Sequence, residues 1–160
     1  MPERLFRRVL VPTDGSDASV AAARLAFRIA RVFGAHVELL YVIDLLLCEE
    51  LRRFDKRELE DVRAELLEQG RRYLQVLREE GERMGLSVGD EVRRGDPFEE
   101  IVGQARDRGA DLIVMGHVGR RPRAKVLLGS VAERVLEFAP CPVMVVKHEP
   151  EEDARRSAER

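Results

Sequence analysis

The sequence predicts a single α/β domain built on a parallel β-sheet. Five short apolar runs alternate with longer amphipathic segments, which is typical of a parallel sheet covered by helices. Two of the runs, 112–115 and 143–146, are apolar at consecutive positions, as expected of strands buried on both faces. The length of 160 residues suits one domain. We expect that domain to span 1–148, followed by a charged, disordered tail at 149–160 that has almost no apolar residues.

Each apolar run predicts one strand, and the segments between the runs predict four main helices. The expected strands are Arg8–Pro12, Val37–Ile43, Leu86–Val92, Asp111–Met115 and Pro142–Val146. The first helix begins at Ser16 or Asp17, either of which can cap it, and ends at Gly34. The second and longest helix spans about Lys56–Met84. The segment 44–55 before it fits a loop, a short helix or a flap equally well.

The third and fourth helices have recognisable start signals. Asp96 is a good N-cap, Pro97 suits the first helical position, and Glu99 has the spacing of a capping box. Gly109 marks the end of this third helix. The fourth helix is expected to open at Ser130, where the sequence Ser-Val-Ala-Glu repeats the capping-box spacing. We therefore expect Ser130 to cap the last helix.

Composition and charge exclude several classes of protein. Apolar residues make up 44% of the chain and charged residues 36%, so the chain can bury a core and is not a disordered polyelectrolyte. Lysine and arginine number 28 against 30 aspartates and glutamates, which gives a net charge of -2. No global positive field is therefore available to attract nucleic acid, and any anion site must be local.

The same sequence favours a cytoplasmic protein with no membrane partner. No apolar run approaches the roughly 18 residues needed to span a bilayer, and the N-terminus lacks the apolar stretch of a signal peptide. Cys48 and Cys141 lie far apart without the spacing of a zinc site, which fits a reducing compartment. His36, His117 and His148 are scattered, so neither a metal site nor histidine-based catalysis is expected.

Three loops that follow predicted strands carry the residues with the clearest chemistry. In open α/β sheets, ligands bind beyond the carboxyl ends of the strands, where the strand order reverses. The loops begin at Pro12, Val42 and Gly116, and Gly129 and Ser130 open the helix that comes next. We expect these segments to converge on one crevice.

The loop after the fourth strand is suited to an anion. Gly116 and Gly119 let backbone amides approach an anion closely, while Gly129 and Ser130 present the amides and the positive dipole end of a helix. The nine residues between Gly119 and Gly129 contain four basic residues and no acidic one: Arg120, Arg121, Arg123 and Lys125. These features favour a polyphosphate. Taken singly, however, the glycines also fit an ordinary turn, Asp14 a helix cap and the arginines a solvated loop.

The glycine spacing, taken with two other segments, resembles the ATP-binding branch of the universal stress proteins. The glycine motif is Gly116 and Gly119 with two residues between them, followed after nine residues by Gly129 and Ser130. The other two segments are VPTDGS at 11–16 and LLYVID at 39–44. The resemblance runs from about Arg8 to Lys147. It implies a three-layer, Rossmann-like fold of the flavodoxin-like type, with a five-stranded parallel sheet of order 3-2-1-4-5. It also implies a homodimer through the last strand, Pro142–Lys147, whose apolar edge would otherwise be exposed.

The resemblance further implies a role for each residue of an ATP site. Asp14 would hold the ribose hydroxyls, and Pro12, Thr13 and Val42 would line the adenine and ribose pocket. The phosphates would be bound by Gly116, Gly119, Gly129 and Ser130, with Met115 and Val131 flanking them. Arg120 is a further candidate contact, which rests on the local positive charge and not on the resemblance. Mg²⁺ or Mn²⁺ would accompany the ATP. His117 stands where a small hydroxyl residue is common in the family, and its ring could narrow the loop or contact a phosphate.

We therefore expect a nucleotide-dependent regulatory or stress-protective module that acts on a protein partner which the sequence does not reveal. No Walker lysine motif is present, and no carboxylate beside the phosphate loop is an evident activator of water, so at most slow ATP hydrolysis is expected. Two alternatives keep the fold: a nucleotide hydrolase or flavin protein, and a nucleotide-free dimeric scaffold. Scarce aromatic residues argue against a flavin, and the intact glycines argue against the scaffold.

Overall fold

The computed structural model describes residues 3–119 and 127–148, which form five strands and five helices. The strands are β1 (Arg8–Pro12), β2 (His36–Asp44), β3 (Val88–Gly95), β4 (Leu112–Gly116) and β5 (Val143–Val146). The helices are α1 (Asp17–Phe33), α2 (Leu45–Asp55), α3 (Leu59–Arg83), α4 (Pro97–Arg108) and α5 (Ser130–Phe138). All four strand pairings are parallel and the order is β3-β2-β1-β4-β5, which confirms the predicted topology.

The prediction of the third strand was displaced, because β3 begins at Val88 and ends at Gly95. Gly85 has a left-handed backbone (φ 79°), and its N–H donates to the carbonyl oxygen of Glu82. The N–H of Leu86 donates to the carbonyl oxygen of Gly81 at 3.2 Å. This pair of bonds closes the C-terminus of α3 in a Schellman motif. Leu86 therefore belongs to the helix cap and not to the sheet.

The segment 44–55, which the sequence left open, is helix α2. Asp44 caps it, because its Oδ1 accepts hydrogen bonds from the N–H groups of Leu46 and Leu47 at 2.9 and 3.2 Å. Lys56 ends it in the left-handed conformation (φ 52°). The prediction that the following helix begins at about Lys56 was wrong for this reason, since α3 begins at Leu59. The described residues thus contain five helices, one more than the four main helices expected.

The predicted caps of α1 and α4 are confirmed. Ser16 caps α1, with its Oγ accepting from the N–H of Ser19 at 3.2 Å, and Gly34 closes that helix with φ 65°. Asp96 caps α4 by accepting from the N–H of Glu99 at 3.2 Å, and Gly109 has φ 63°. Both helices are therefore delimited by side-chain and glycine signals that the sequence shows directly.

The predicted cap of α5 was wrong by one residue. Gly129 occupies the N-cap position with an extended backbone, and Ser130 is the first helical residue. The N–H of Gly129 donates to the carbonyl oxygen of His117 at 2.6 Å, and its own carbonyl oxygen accepts from Glu133. Because this bond holds Gly129 against the loop after β4, Gly129 takes the cap position, and the helix opens at Ser130 as predicted.

The sheet is covered on both faces. Helices α1, α2 and α3 pack on one face, where Phe27, Leu39 and Leu74 belong to one core cluster. Helices α4 and α5 pack on the other, where Leu40 and Ile113 belong to a second cluster. Burial on both faces explains the apolar runs of β1 and β4. The expectation that 143–146 is also buried on both faces was wrong, because β5 is an edge strand whose residues are partly buried or exposed.

Two glycines within α3 allow close packing. Both Gly70 and Gly81 are buried in a continuous helix. A side chain at Gly70 would meet the ring of Tyr41, and one at Gly81 would meet Val88 at 2.7 Å and Phe27 at 3.1 Å. The glycines lower helix propensity but let α3 lie close to the sheet.

Over residues 3–119 and 127–148, no helix is long and apolar enough to cross a membrane.

The two free cysteines are expected to differ in reactivity. Cys48 is fully buried in α2, whereas Cys141 is half-buried, and burial raises the pKa of both thiols. Both therefore stay protonated at neutral pH and react slowly. Iodoacetamide at pH 7 should modify Cys141 at least about tenfold faster than Cys48, because Cys48 requires local opening of α2. Mass spectrometry over time measures this, and equal rates would show that α2 is not stably packed.

Candidate functional site

The strand order reverses at the carboxyl end of β1. This strand lies between β2 and β4, so the connections that follow β1 and β4 lead to opposite directions across the sheet. Such a reversal leaves an opening beyond the strand ends where ligands bind in open α/β sheets. The loop at 13–16 follows β1 and the loop at 117–119 follows β4, so both lie at this end of the sheet.

Thr13 is the first residue beyond β1, and its contacts fix the shape of the loop. Its N–H donates to the carbonyl oxygen of Leu40 at 2.8 Å, and its Oγ1 lies 3.0 Å from Oγ of Ser19. The same Oγ1 accepts from the N–H of Gly15 at 3.3 Å. Thr13 is buried, with 5% of its surface exposed. Its hydroxyl therefore holds the loop against the first turn of α1.

Asp14 faces the loop after β4. Its Oδ1 accepts from the N–H of Ser16 at 2.9 Å, which forms an Asx turn before α1. A Cβ atom built on Gly119 would lie 2.9 Å from the other carboxylate oxygen, Oδ2. Ser16, and not Asp14, is the residue that caps α1. The fold thus brings together Asp14 and Gly119, which are 105 positions apart in the chain.

The three predicted phosphate glycines have different surroundings. A Cβ at Gly116 would lie 2.8 Å from the carbonyl carbon of Ala18, so this glycine lets the end of β4 pack on the backbone of α1. A Cβ at Gly129 would lie 3.3 Å from the carbonyl oxygen of His117. Gly119 is exposed and borders the crevice beside Asp14. The absence of a side chain on Gly119 therefore leaves space beside Asp14, the residue predicted to bind the ribose.

The start of α5 supplies amides next to this loop. The sequence predicted that Gly129 would present its amide to an anion, but this amide is bonded to the carbonyl oxygen of His117. The N–H groups of Ser130 and Val131, in the first helical turn, have no acceptor within the helix. These two amides, together with the positive end of the helix dipole, form the part of the site suited to an anion.

His117 is directed towards β5. Its N–H donates to the carbonyl oxygen of Val146 at 3.0 Å, and its Nδ1 lies 3.3 Å from the same oxygen. The N–H of His148 lies 3.4 Å from Nδ1. The ring therefore lies at the end of the edge strand, and the loop is joined to β5 through backbone and side-chain contacts.

The apolar residues predicted for the site are buried or partly buried in the core. Met115 is buried in the second core cluster, and Val42 and Val131 are partly buried against the same cluster. Pro12 is buried at the end of β1. Arg120 and the other basic residues of the loop fall within 120–126, outside the described part of the chain.

One residue beside the site was missed by sequence reasoning. The ring of Tyr73, on α3, lies where a side chain on Gly15 would point, so Gly15 (φ 81°) allows the loop to pack on the ring. Tyr41 and Tyr73 have ring centroids 6.2 Å apart. The sequence pattern assigned Tyr73 only to the apolar stripe of a helix, and no local signal connects it to a loop 58 positions earlier.

Among residues 3–119 and 127–148, no three His, Cys, Asp or Glu side chains are grouped to hold a metal ion.

The family is shown by comparison with known proteins. The model of the universal stress protein family matches residues 5–147. The chain belongs to this family. Universal stress protein MJ0531 of Methanocaldococcus jannaschii is 41% identical over 145 residues, which cover 91% of this chain and 84% of the relative.

Solved structures of universal stress proteins share the fold. The structure of MJ0577, a second universal stress protein of Methanocaldococcus jannaschii, has a TM-score of 0.80 and 32% identity, and the match covers 91% of this chain and 99% of that one. A family member from Arabidopsis thaliana, solved with AMP bound, has a TM-score of 0.63 over 91% of this chain and 94% of its own. At 18% identity, this second likeness shows the fold alone.

Proposed function

We propose that this universal stress protein binds ATP in the crevice beyond β1 and β4, and that the nucleotide regulates its contacts with a protein partner. The observation that carries the proposal is the approach of Asp14 and Gly119, where a side chain on Gly119 would lie against the carboxylate, with its Cβ 2.9 Å from Oδ2. A carboxylate oxygen is a strong acceptor for the two hydroxyls of a ribose. The Asx turn with Ser16 holds that carboxylate at the mouth of the crevice.

The phosphates would extend from the ribose towards the start of α5. The N–H groups of Ser130 and Val131 point out of a helix N-terminus, which favours negative charge. Gly119 lies between Asp14 and this helix start, so a backbone amide without a side chain would face the phosphate chain. The described residues offer no cluster of protein ligands for a metal, so Mg²⁺ or Mn²⁺ would be held through the phosphate oxygens.

The regulatory part of the proposal rests on the contact between this loop and the edge strand. Gly116 pairs with Val146 in the sheet, and His117 donates to the carbonyl oxygen of the same residue. A phosphate that reorganises the loop at 117–119 would therefore also act on the end of β5. Nucleotide binding would thereby change the surface that β5 presents to a protein partner.

The proposal is tested by calorimetric titration of nucleotide-free protein with magnesium ATP and with AMP. We expect micromolar binding of ATP and weaker binding of AMP, because AMP lacks the phosphates that reach α5. A second titration with ATP in the presence of EDTA measures the contribution of the metal. The absence of ATP binding would favour the nucleotide-free dimeric scaffold instead.

We also propose that the chain forms a homodimer through β5. This strand has a neighbour only on the β4 side among the described residues, and Met144 is 36% exposed on it. Leu136 and Phe138 of the adjacent α5 are 45% and 50% exposed. A second copy that pairs with this edge would bury both the unpaired backbone groups and the apolar side chains.

The substitution Met144→Lys should convert the dimer to a monomer. The charge would be buried in the interface without a partner, so we expect the dissociation constant to rise at least about 100-fold. Light scattering across protein concentrations measures this. Val76→Lys is the matched control, because Val76 is 61% exposed on α3, away from the sheet edge. A monomeric wild-type protein, or a dimer that survives Met144→Lys, would contradict the proposed interface.

A further inference from the structure

The loop that carries Asp14 is held by hydroxyl groups of its own residues and of α1. Ser19 Oγ donates to the carbonyl oxygen of Ser16 at 2.9 Å, which uses the single proton of that hydroxyl. The 3.0 Å contact between Thr13 Oγ1 and Ser19 Oγ is therefore a bond that Thr13 donates. Thr13 Oγ1 in turn accepts from the N–H of Gly15 at 3.3 Å. These bonds hold the residues on both sides of Asp14.

The same loop packs against a side chain from a distant element, Tyr73 of α3. A Cβ atom built on Gly15 would overlap Cε2 and Cζ of the Tyr73 ring and would lie 2.9 Å from its Cδ2. The far edge of the ring therefore contacts the Cα atom of Gly15 directly. Gly15 also has a left-handed backbone (φ 81°), a conformation that glycine adopts without strain.

The core sets the position of Tyr73. The side chain is half-buried and packs against the core cluster that α1 and α3 share with the sheet. Its ring centroid lies 6.2 Å from that of Tyr41, a residue of β2 that is 5% exposed. The ring of Tyr41 in turn lies against Gly70 of α3. The contact with Gly15 is therefore made by a ring that the sheet and α3 hold in place.

Asp14 lies between the residues that these contacts hold. Its Oδ1 accepts from the N–H of Ser16 at 2.9 Å, and its Oδ2 is the atom that a side chain on Gly119 would meet. Because Ser16 follows Gly15 directly, a shift of Gly15 would move the amide that orients the carboxylate. A carboxylate that is already ordered binds a ligand at a lower entropic cost than a mobile one.

We propose that Tyr73 is a positioning residue that orients Asp14 and thereby sets a preference for ribonucleotides over 2′-deoxyribonucleotides. This inference rests on the proposed nucleotide function, because the ribose is the group that Asp14 would bind. A ribose offers two hydroxyl donors to one carboxylate, whereas a 2′-deoxyribose offers one. Since two bonds to one carboxylate require a defined orientation, the preference should decrease when the loop can shift.

Calorimetric titrations with magnesium ATP and magnesium 2′-deoxy-ATP test this role in the wild type, Tyr73→Leu and Tyr73→Phe. Leucine keeps an apolar side chain in the core but lacks the Cε2 and Cζ atoms that contact Gly15, whereas phenylalanine keeps both. We expect the wild type and Tyr73→Phe to prefer ATP about tenfold. Tyr73→Leu should bind ATP at least about fivefold more weakly and prefer it only about twofold. A purely structural role would weaken both nucleotides equally and leave the preference unchanged.

Hydrogen exchange of the Ser16 amide, measured by NMR spectroscopy, gives a readout that needs no nucleotide. This amide is bonded to Asp14 Oδ1, so it should exchange at least about fivefold faster in Tyr73→Leu than in the wild type. Val76→Ala is the matched control, because Val76 lies on the same helix and is 61% exposed, and neither readout should change in it.

The two readouts distinguish a failure of this inference from a failure of the nucleotide site. Absence of ATP binding to the wild type, together with faster exchange in Tyr73→Leu, would contradict the nucleotide site and still support the positioning of Asp14. Unchanged exchange of the Ser16 amide in Tyr73→Leu, or a preference for ATP that persists in that variant, would overturn the inference.

Discussion

Replacing Gly119 with valine is expected to abolish ATP binding and to leave the fold intact. The new Cβ would lie 2.9 Å from Oδ2 of Asp14, and the two methyl groups beyond it would fill the space between that carboxylate and the start of α5. We expect affinity for magnesium ATP to fall at least about 100-fold, or about 2.7 kcal/mol. Because Gly119 is exposed in a loop, the melting temperature should change little. Calorimetric titration and thermal unfolding of the same preparation measure both effects.

The control for this result is Gly103→Ala in α4. A Cβ at Gly103 would have one neighbour within 4 Å, Nη1 of Arg93 at 3.8 Å, so the substitution introduces no close contact. It should retain full ATP affinity and gain slightly in stability through better helix propensity. ATP binding that survives Gly119→Val would show that the nucleotide does not pass between Asp14 and this loop, and would remove the main support for the site.

Replacing Gly116 with valine is expected to have the opposite outcome, a large loss of stability. Its Cβ would lie 2.8 Å from the carbonyl carbon of Ala18 and 3.0 Å from the backbone nitrogen of Ser19. These are backbone atoms at the start of α1, which cannot rotate away as a flexible side chain can. Forcing β4 and α1 apart should cost about 3 kcal/mol and lower the melting temperature by about 10 °C.

Chemical denaturation compares the two valine variants directly, since the same substitution is made three positions apart. The unfolding midpoint of Gly116→Val should fall well below that of Gly119→Val, which should match the wild type. Equal midpoints would contradict the tight packing of β4 on α1. The comparison also distinguishes Gly116, which the fold requires for packing, from Gly119, which we propose is required for ATP binding.

The elements of this chain were predictable where local signals act over a few residues. The caps Ser16 and Asp96, together with the helix ends at Gly34 and Gly109, follow from hydrogen bonds within one turn. The apolar run that forms β4 follows from burial on both faces of the sheet. Such interactions depend on neighbours in the sequence, so the sequence shows them directly.

Other boundaries depended on hydrogen bonds and packing that the apolar pattern does not show. The segment that forms α2 was ambiguous because its helix depends on the cap at Asp44 and on packing against α3. The start of β3 was misplaced because Leu86 completes a helix cap. The cap of α5 was assigned to Ser130 and not to Gly129, which bonds to His117 across the loop. Only the bond of Gly129 to His117 joins distant positions, whereas the other two bonds are local but are not marked by the apolar pattern.

The sequence by itself determined the fold class, the strand order implied by the family resemblance, and the residue types of the proposed nucleotide site. Only the tertiary structure decided that a side chain on Gly119 would contact Asp14 and that Gly116 allows β4 to pack on α1. The physical reason is distance along the chain. Periodicity and capping report contacts within a few residues, whereas a ligand site is formed by residues that become neighbours only when the sheet is assembled.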